Sequence, residues 1–195
     1  DLASTYAFTS YGRIAPASQV LLTYGWATIG LLGISYFAIS RVTGSALQRR
    51  PFALVSLAIL ALAATGGAIG ILFGFNSGVA GQEAPIWARA LFAVGALLAS
   101  MSISATARTH KNELGPAGWY LSAAPVLLTL NATVAILPTR GGIEGALLAA
   151  FTNAGMTLFM ITAAVGILYF VIGSISGKDH SEAGPLAALG FWSLL

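Results

Sequence analysis

The chain is 195 residues long, 57% apolar and 8% charged, with nine Lys and Arg against six acids. A soluble domain carries about 25% charged residues, so this composition excludes a protein whose surface meets water over most of its area. Nine scattered basic residues are too few for phosphate-backbone recognition, which excludes a nucleic-acid partner. The absence of Cys excludes a disulfide frame, a thiol nucleophile and a Cys-ligated metal.

The apolar residues gather into stretches of about 20, each long enough to cross roughly 30 Å of hydrocarbon as a helix. The chain therefore reads as a single membrane domain, 1–195. Its predicted fold is an all-α, polytopic transmembrane bundle of about five complete spans and the start of a sixth, placed at 18–40, 52–75, 85–107, 117–137, 143–175 and 186–195. Residues 186–195 are too short to span, and a chain that stops inside a helix is favoured over a segment lying at the interface. The first residue is Asp1 rather than Met, and no charged region with a short apolar core precedes the first span, so a missing start is expected.

Basic residues in successive loops run Arg41, Arg49 and Arg50, then none, then Arg108 and Lys111, then Arg140, then Lys178. This alternation predicts that loops 41–51, 108–116 and 176–184 are cytoplasmic and that the N-terminal end is outside. Trp26, Trp87, Trp119 and Trp192, with Tyr11 and Tyr120, fall mostly near span boundaries, where amphipathic rings anchor at the headgroups.

In span two, Gly66, Gly70 and Gly74 recur every four residues and mark a helix-packing face, read as contact within the bundle rather than as a dimer seam. Pro125 should loosen one turn of span four. Span five offers Asn153, Gly155, Thr157, Thr162 and Gly166 as small or hydrogen-bonding residues and should pack centrally.

Ionisable groups inside a membrane are the default sign of function, and this chain has essentially none. Arg89 alone lies near a span, one turn from its start, where its side chain is expected to snorkel to the headgroups. Proton pumping and ion transport by these helices therefore lack support. His110 and His180 sit in loops close to a Lys and read as solvated, out of reach of a haem held within the bilayer. Asn131, Asn153, Thr129, Thr133, Thr152, Thr157 and Thr162 can satisfy one another or the backbone, and Met101, Met156 and Met160 read as core filling. No phosphate loop, Ser-His-Asp set or zinc spacing is present. The residues by themselves point to a scaffold or a partner subunit.

The stretch Tyr11-Gly12-Arg13-Ile14-Ala15-Pro16-Ala17-Ser18, followed by Gln19-Val20-Leu21, resembles the start of a span in the catalytic subunit of cbb-type (C-family) heme-copper cytochrome c oxidases, where the pattern is Gly-Arg-x-x-Pro-x-His. The likeness continues, in order, through Gly33-Ile34-Ser35-Tyr36-Phe37, Arg41, Trp119-Tyr120, Gly166-Ile167-Leu168-Tyr169-Phe170 and Gly190-Phe191-Trp192-Ser193-Leu194. It implies an oxidase subunit I-like scaffold in a respiratory or electron-transfer complex, in a bacterial cytoplasmic membrane. That family holds haem iron and copper with imidazoles. Here Ser18 stands where it has a low-spin haem ligand, and Asn153, in Thr152-Asn153-Ala154, stands where it has a copper ligand in Gly-His-Asn-Ala. Neither replaces imidazole.

The expectation is therefore a haem-free, non-catalytic subunit with no metal or cofactor, packed among other membrane-protein subunits and lipid, with a quinone-like or lipid molecule as a possible ligand. Trp26 and Phe159 are candidates to fill the haem volume. The alternative is an authentic subunit of a terminal oxidase or nitric oxide reductase, carrying haem b, with ligands on further segments. A second alternative is a small transporter or receptor.

Overall fold

A computed structural model describes residues 10–79, 81–110, 114–138, 142–176 and 184–194. Their regular structure is entirely helical: α1 (Tyr11–Val20), a π-helical stretch (Leu21–Ala27), α2 (Thr28–Val42), α3 (Arg50–Leu72), α4 (Ile86–Ala107), α5 (Pro116–Val134), α6 (Gly142–Ser176) and α7 (Gly184–Leu194). The helices are apolar on nearly every face because lipid, not water, is the outer solvent, and a helix satisfies its backbone groups internally.

Among the described residues, four helices are long and apolar enough to cross a membrane: the continuous rod Tyr11–Val42, α3, α4 and α6. At about 1.5 Å per residue, the 23 residues of α3 span about 35 Å. α5 stands where the fourth of the five predicted spans was placed but is not among the four. It has 19 residues, and Trp119, Tyr120, Pro125, Asn131 and Thr133 dilute its apolar content. The eleven residues of α7 are too few to cross.

The first helix differs from the sequence expectation in two ways. The first helix starts at Tyr11 rather than residue 18, so Tyr11–Pro16, predicted to be an outside loop, forms its first turns. The stretch Leu21–Ala27 widens to a π-helix, and the Thr28 hydroxyl reaches five residues back to donate to the Thr23 carbonyl at 2.8 Å. The periodicity of apolar residues carries no sign of that extra width.

Neighbours in sequence are neighbours in space. α3 packs on α4, α4 on α5 and α5 on α6, while α2 touches α3, α4, α5 and α6 and occupies the centre. α1 leans mainly on α3. Span five was expected to pack centrally, yet α6 is the least buried of the four long helices, and α2 holds that place. The contacts of α6 are mainly with α5 and α2, and α7, which follows it, packs on α5 instead.

Close approach depends on small residues. A Cβ on Gly95 of α4 would lie 2.8 Å from Leu60 Cγ of α3, and one on Gly166 of α6 would lie 3.0 Å from the Leu121 backbone nitrogen of α5. Since lipid tails are as apolar as Leu, such contact and hydrogen bonds, rather than burial from water, hold the helices together. The core where α2, α5 and α6 meet contains Leu32, Leu121, Leu128, Met156 and Phe159.

The two ends of the bundle differ. At one, Arg41, Arg49, Arg50 and Arg108 lie at the ends of α2, α3 and α4, and the α2–α3 connection is fastened to α4: Gln48 N–H donates to Thr106 Oγ1 at 3.0 Å, and Ser102 Oγ donates to the Gln48 carbonyl at 2.9 Å. At the other, α3 ends in a Schellman turn, with Phe75 N–H bonded to the Gly70 carbonyl and Gly74 N–H to the Ile71 carbonyl. Gly74 supplies the left-handed residue at φ +98°. Arg13 Nη1 donates to the Leu72 carbonyl at 3.1 Å, placing a cation at the negative end of α3.

Candidate functional site

At this second end the α3–α4 connection does not pass over the top of the bundle. α1 leans toward α3, and residues 81–84 enter the space left between it and α4, α5 and α6. The connection is shaped locally before it packs: Ser77 Oγ bonds the Gln82 carbonyl, Gln82 N–H bonds the Val79 carbonyl at 3.0 Å, and Gly78 N–H bonds Asn76 Oδ1 at 2.9 Å. Gly78 and Gly81 both take positive φ, +72° and +79°. A Cβ on Gly81 would sit 3.0 Å from both Thr152 Oγ1 and Asn153 Oδ1, so the connection reaches α6 itself. Tyr24, carried by the π-helical stretch, donates its hydroxyl to the Gly81 carbonyl at 2.9 Å and stacks edge-on against Phe92.

Gln82 is thereby buried, with a relative exposure of 1%. Its Oε1 accepts from Arg89 Nη1 at 3.0 Å, and the same Nη1 donates to the Ala135 carbonyl at 2.6 Å, at the end of α5. Arg89 was expected to snorkel outward. Instead its guanidinium turns into the bundle, because two strong acceptors wait there and the last carbonyls of α5 have no helical partner of their own. Asn131 of α5, 4% exposed, completes the group. Its Oδ1 lies so tightly against Gly155 of α6 that a Cβ there would overlap it.

These residues surround a cavity of about 30 Å³, lined by Tyr24, Gln82, Glu83, Arg89, Phe92 and Asn131 among others. On that measure one water needs about 10–15 Å³, so the space suits one or two water-sized species and is far too small for a haem or a quinone ring. Three buried polar atoms around it have no hydrogen-bond partner: Gln82 Nε2, Arg89 Nε and Asn131 Oδ1. Buried polar groups are nearly always paired, which makes this the most chemically loaded place among the described residues.

Of the residues singled out in the sequence, Asn131, Thr152 and Asn153 come together here with Arg89. Ser18 does not. It is exposed on α1 and donates back to the Ala15 carbonyl at 2.8 Å. Asn153 is exposed on α6. Laying His-Asn-Ala of the oxidase motif directly on Thr152-Asn153-Ala154 puts Thr152, not Asn153, at the imidazole. Thr152 is also the buried one, with its hydroxyl bonded to the Leu148 carbonyl at 2.9 Å. Ser18, Thr152 and Asn153 do not fit the iron and copper that the resemblance implies, since hydroxyls and an amide are poor substitutes for neutral imidazole on those metals. No group of three His, Cys, Asp or Glu among the described residues could hold a metal.

Gly66 and Gly70 face the start of α4: a Cβ on Gly66 would lie 2.9 Å from the Trp87 ring and one on Gly70 2.7 Å from Pro85. Gly74 lies past the end of α3, with the Arg13 guanidinium 3.2 Å from its would-be Cβ. Phe159 is fully buried in the main core, but Trp26, proposed with it to fill a haem volume, is 77% exposed and points away from the bundle. His110 lies at the arginine end, its Nδ1 3.3 Å from the Thr43 carbonyl. His180, Lys111, Lys178 and Arg140 lie outside the described residues.

Sequence reading missed Tyr24 and Gln82. One sits within an apolar stretch and the other in a connection that looks external. The only available signal was Gln82-Glu83 beside Pro85 directly before the one span with an Arg in its first turn. In comparisons with known proteins, no family model, no curated protein and no solved structure matches this chain.

Proposed function

We propose that the chain is a haem-free, non-catalytic helical subunit of a larger membrane complex, built on an oxidase subunit I-like scaffold. The observation that carries this reading is the uncovered face of α6. This helix runs 35 residues, about 52 Å, and leaves Leu147, Phe151, Ile161, Leu168 and Ile172 exposed along its length. Ser18, Thr152 and Asn153 support the absence of the family's haem and copper at the matching positions.

In this reading α5 adds a fifth crossing to the four long helices, which places the two helix ends it joins on opposite sides of the bilayer. Arg41, Arg49, Arg50 and Arg108 at one end against Arg13 and Arg89 at the other support a cytoplasmic arginine end and an outside N-terminal end, in a bacterial cytoplasmic membrane. The other subunits contact α6, and lipid covers the rest. Affinity purification of the tagged full chain from its native membranes, followed by native mass spectrometry, tests the proposal. A stoichiometric membrane-protein partner that cross-links to α6 is expected. A chain recovered alone from gently solubilised membranes refutes it.

A further inference from the structure

We infer that the cavity beside Arg89 is a binding site for one small monoatomic anion of halide size. Two of the groups that border it are donors without an acceptor. Arg89 spends Nη1 on two neutral oxygens, Gln82 Oε1 and the Ala135 carbonyl, and keeps Nε unpaired. Gln82 has used its oxygen on Arg89, so what remains is its buried, unpartnered Nε2. Asn131 turns its oxygen against Gly155, where that oxygen has no partner. Two N–H donor groups, one on a loop and one on α4, thus border one small space, and one of them carries a full positive charge.

Arg89 is partly withdrawn from water, which disfavours a cation that has no counter-ion, and the bonds it makes are to neutral groups. An anion answers both deficits at once: it neutralises the guanidinium and accepts from Arg89 Nε and Gln82 Nε2. The size of the cavity selects among anions. About 30 Å³ admits a species of water or halide dimensions, and excludes a lipid phosphate or any larger oxyanion. The one carboxylate among the lining residues is Glu83. It is not among the hydrogen-bond partners of Arg89, and its charge opposes an anion in the same space, so it should weaken the site rather than build it.

The test uses the full chain in nanodiscs, with chloride, bromide and iodide compared against gluconate and sulfate at constant ionic strength and constant cation. Binding is read from thermal unfolding and from chloride NMR linewidth. Chloride should raise the Tm saturably and broaden its own resonance, with bromide competing and with gluconate and sulfate inert. Arg89→Gln should abolish both effects and Arg89→Lys should restore part of them. Glu83→Gln keeps both donor groups and serves as the control for misfolding; it should tighten chloride binding several-fold. Wild-type protein that responds no more to chloride than to gluconate overturns the site. A Glu83→Gln variant that binds chloride more weakly, or a sulfate response equal to that of chloride, also overturns it.

Discussion

Replacing Arg89 by Met removes the charge while keeping most of the side-chain length, and it isolates what the guanidinium does for the plugged end of the bundle. Two acceptors lose their donor. Gln82 Oε1 is fully buried and left with no side-chain bond, since its Nε2 is already unpartnered, and the Ala135 carbonyl is one that α5 cannot satisfy internally. Each orphaned buried acceptor costs about 1–3 kcal/mol. Part of this is returned because a partly buried cation is removed and an apolar chain fills the space. The net expectation is a loss of about 2–4 kcal/mol.

Gln82→Leu leaves the Arg89 bond to Ala135 intact and should cost less, about 1–2 kcal/mol. With Gln82→Leu and Arg89→Met combined, the two introduced apolar side chains pack together, and the loss should fall short of the sum by about 1–2 kcal/mol, the coupling expected of groups in direct contact. The assay is reversible unfolding in mixed micelles, followed by tryptophan fluorescence and circular dichroism, with all four proteins in one cycle. An Arg89→Met variant within about 0.5 kcal/mol of wild type, or a strictly additive double variant, would refute the assignment of Arg89 and Gln82 to one network.

Gly74→Ala places a Cβ at φ +98° and 3.2 Å from the Arg13 guanidinium, so it should destabilise by about 1–2 kcal/mol, and the micelle titration should show less than half that loss in an Arg13→Ala background if the contact matters. Gly155→Ala collides with Asn131 Oδ1 and should push α5 from α6, costing about 1–3 kcal/mol; adding Asn131→Ala should recover most of it. Tyr36 and Ser56 share a buried hydroxyl contact at 2.6 Å between α2 and α3, and Tyr36→Phe should cost about 1 kcal/mol in the same unfolding assay. Thr106→Val removes the acceptor of Gln48 N–H, and hydrogen exchange should speed up selectively over residues 43–49.

Much of the architecture was legible because a membrane makes length and apolarity decisive. The stretches containing Arg50–Leu72, Ile86–Ala107 and Gly142–Ser176 are long and apolar, and each forms one helix. What escaped was set by contacts between segments. The turn that buries Gln82 depends on Gly78, Gly81 and Ser77 acting together, and it brings Arg89 a side-chain acceptor beside the Ala135 carbonyl. With no such acceptor in view, snorkelling was the sensible expectation for an Arg in the first turn of a span. The π-helical stretch that aims Tyr24 at Gly81 leaves no mark on apolar periodicity. Centrality, too, is a property of the whole bundle: Gly155 and Gly166 on α6 do meet α5, but α7, which follows α6, packs on α5 rather than covering α6.

The proposal that this chain is a haem-free subunit rests on Ser18, Thr152 and Asn153 at or beside the positions where the resemblance to the oxidases would put imidazoles. Pyridine hemochrome quantification of haem per mole of chain, on the subunit isolated under mild conditions from its native complex, addresses that claim most directly. The account predicts haem far below one per chain, with none retained after separation from partner subunits. One haem per chain that persists through isolation would contradict it and return the chain to the catalytic oxidases.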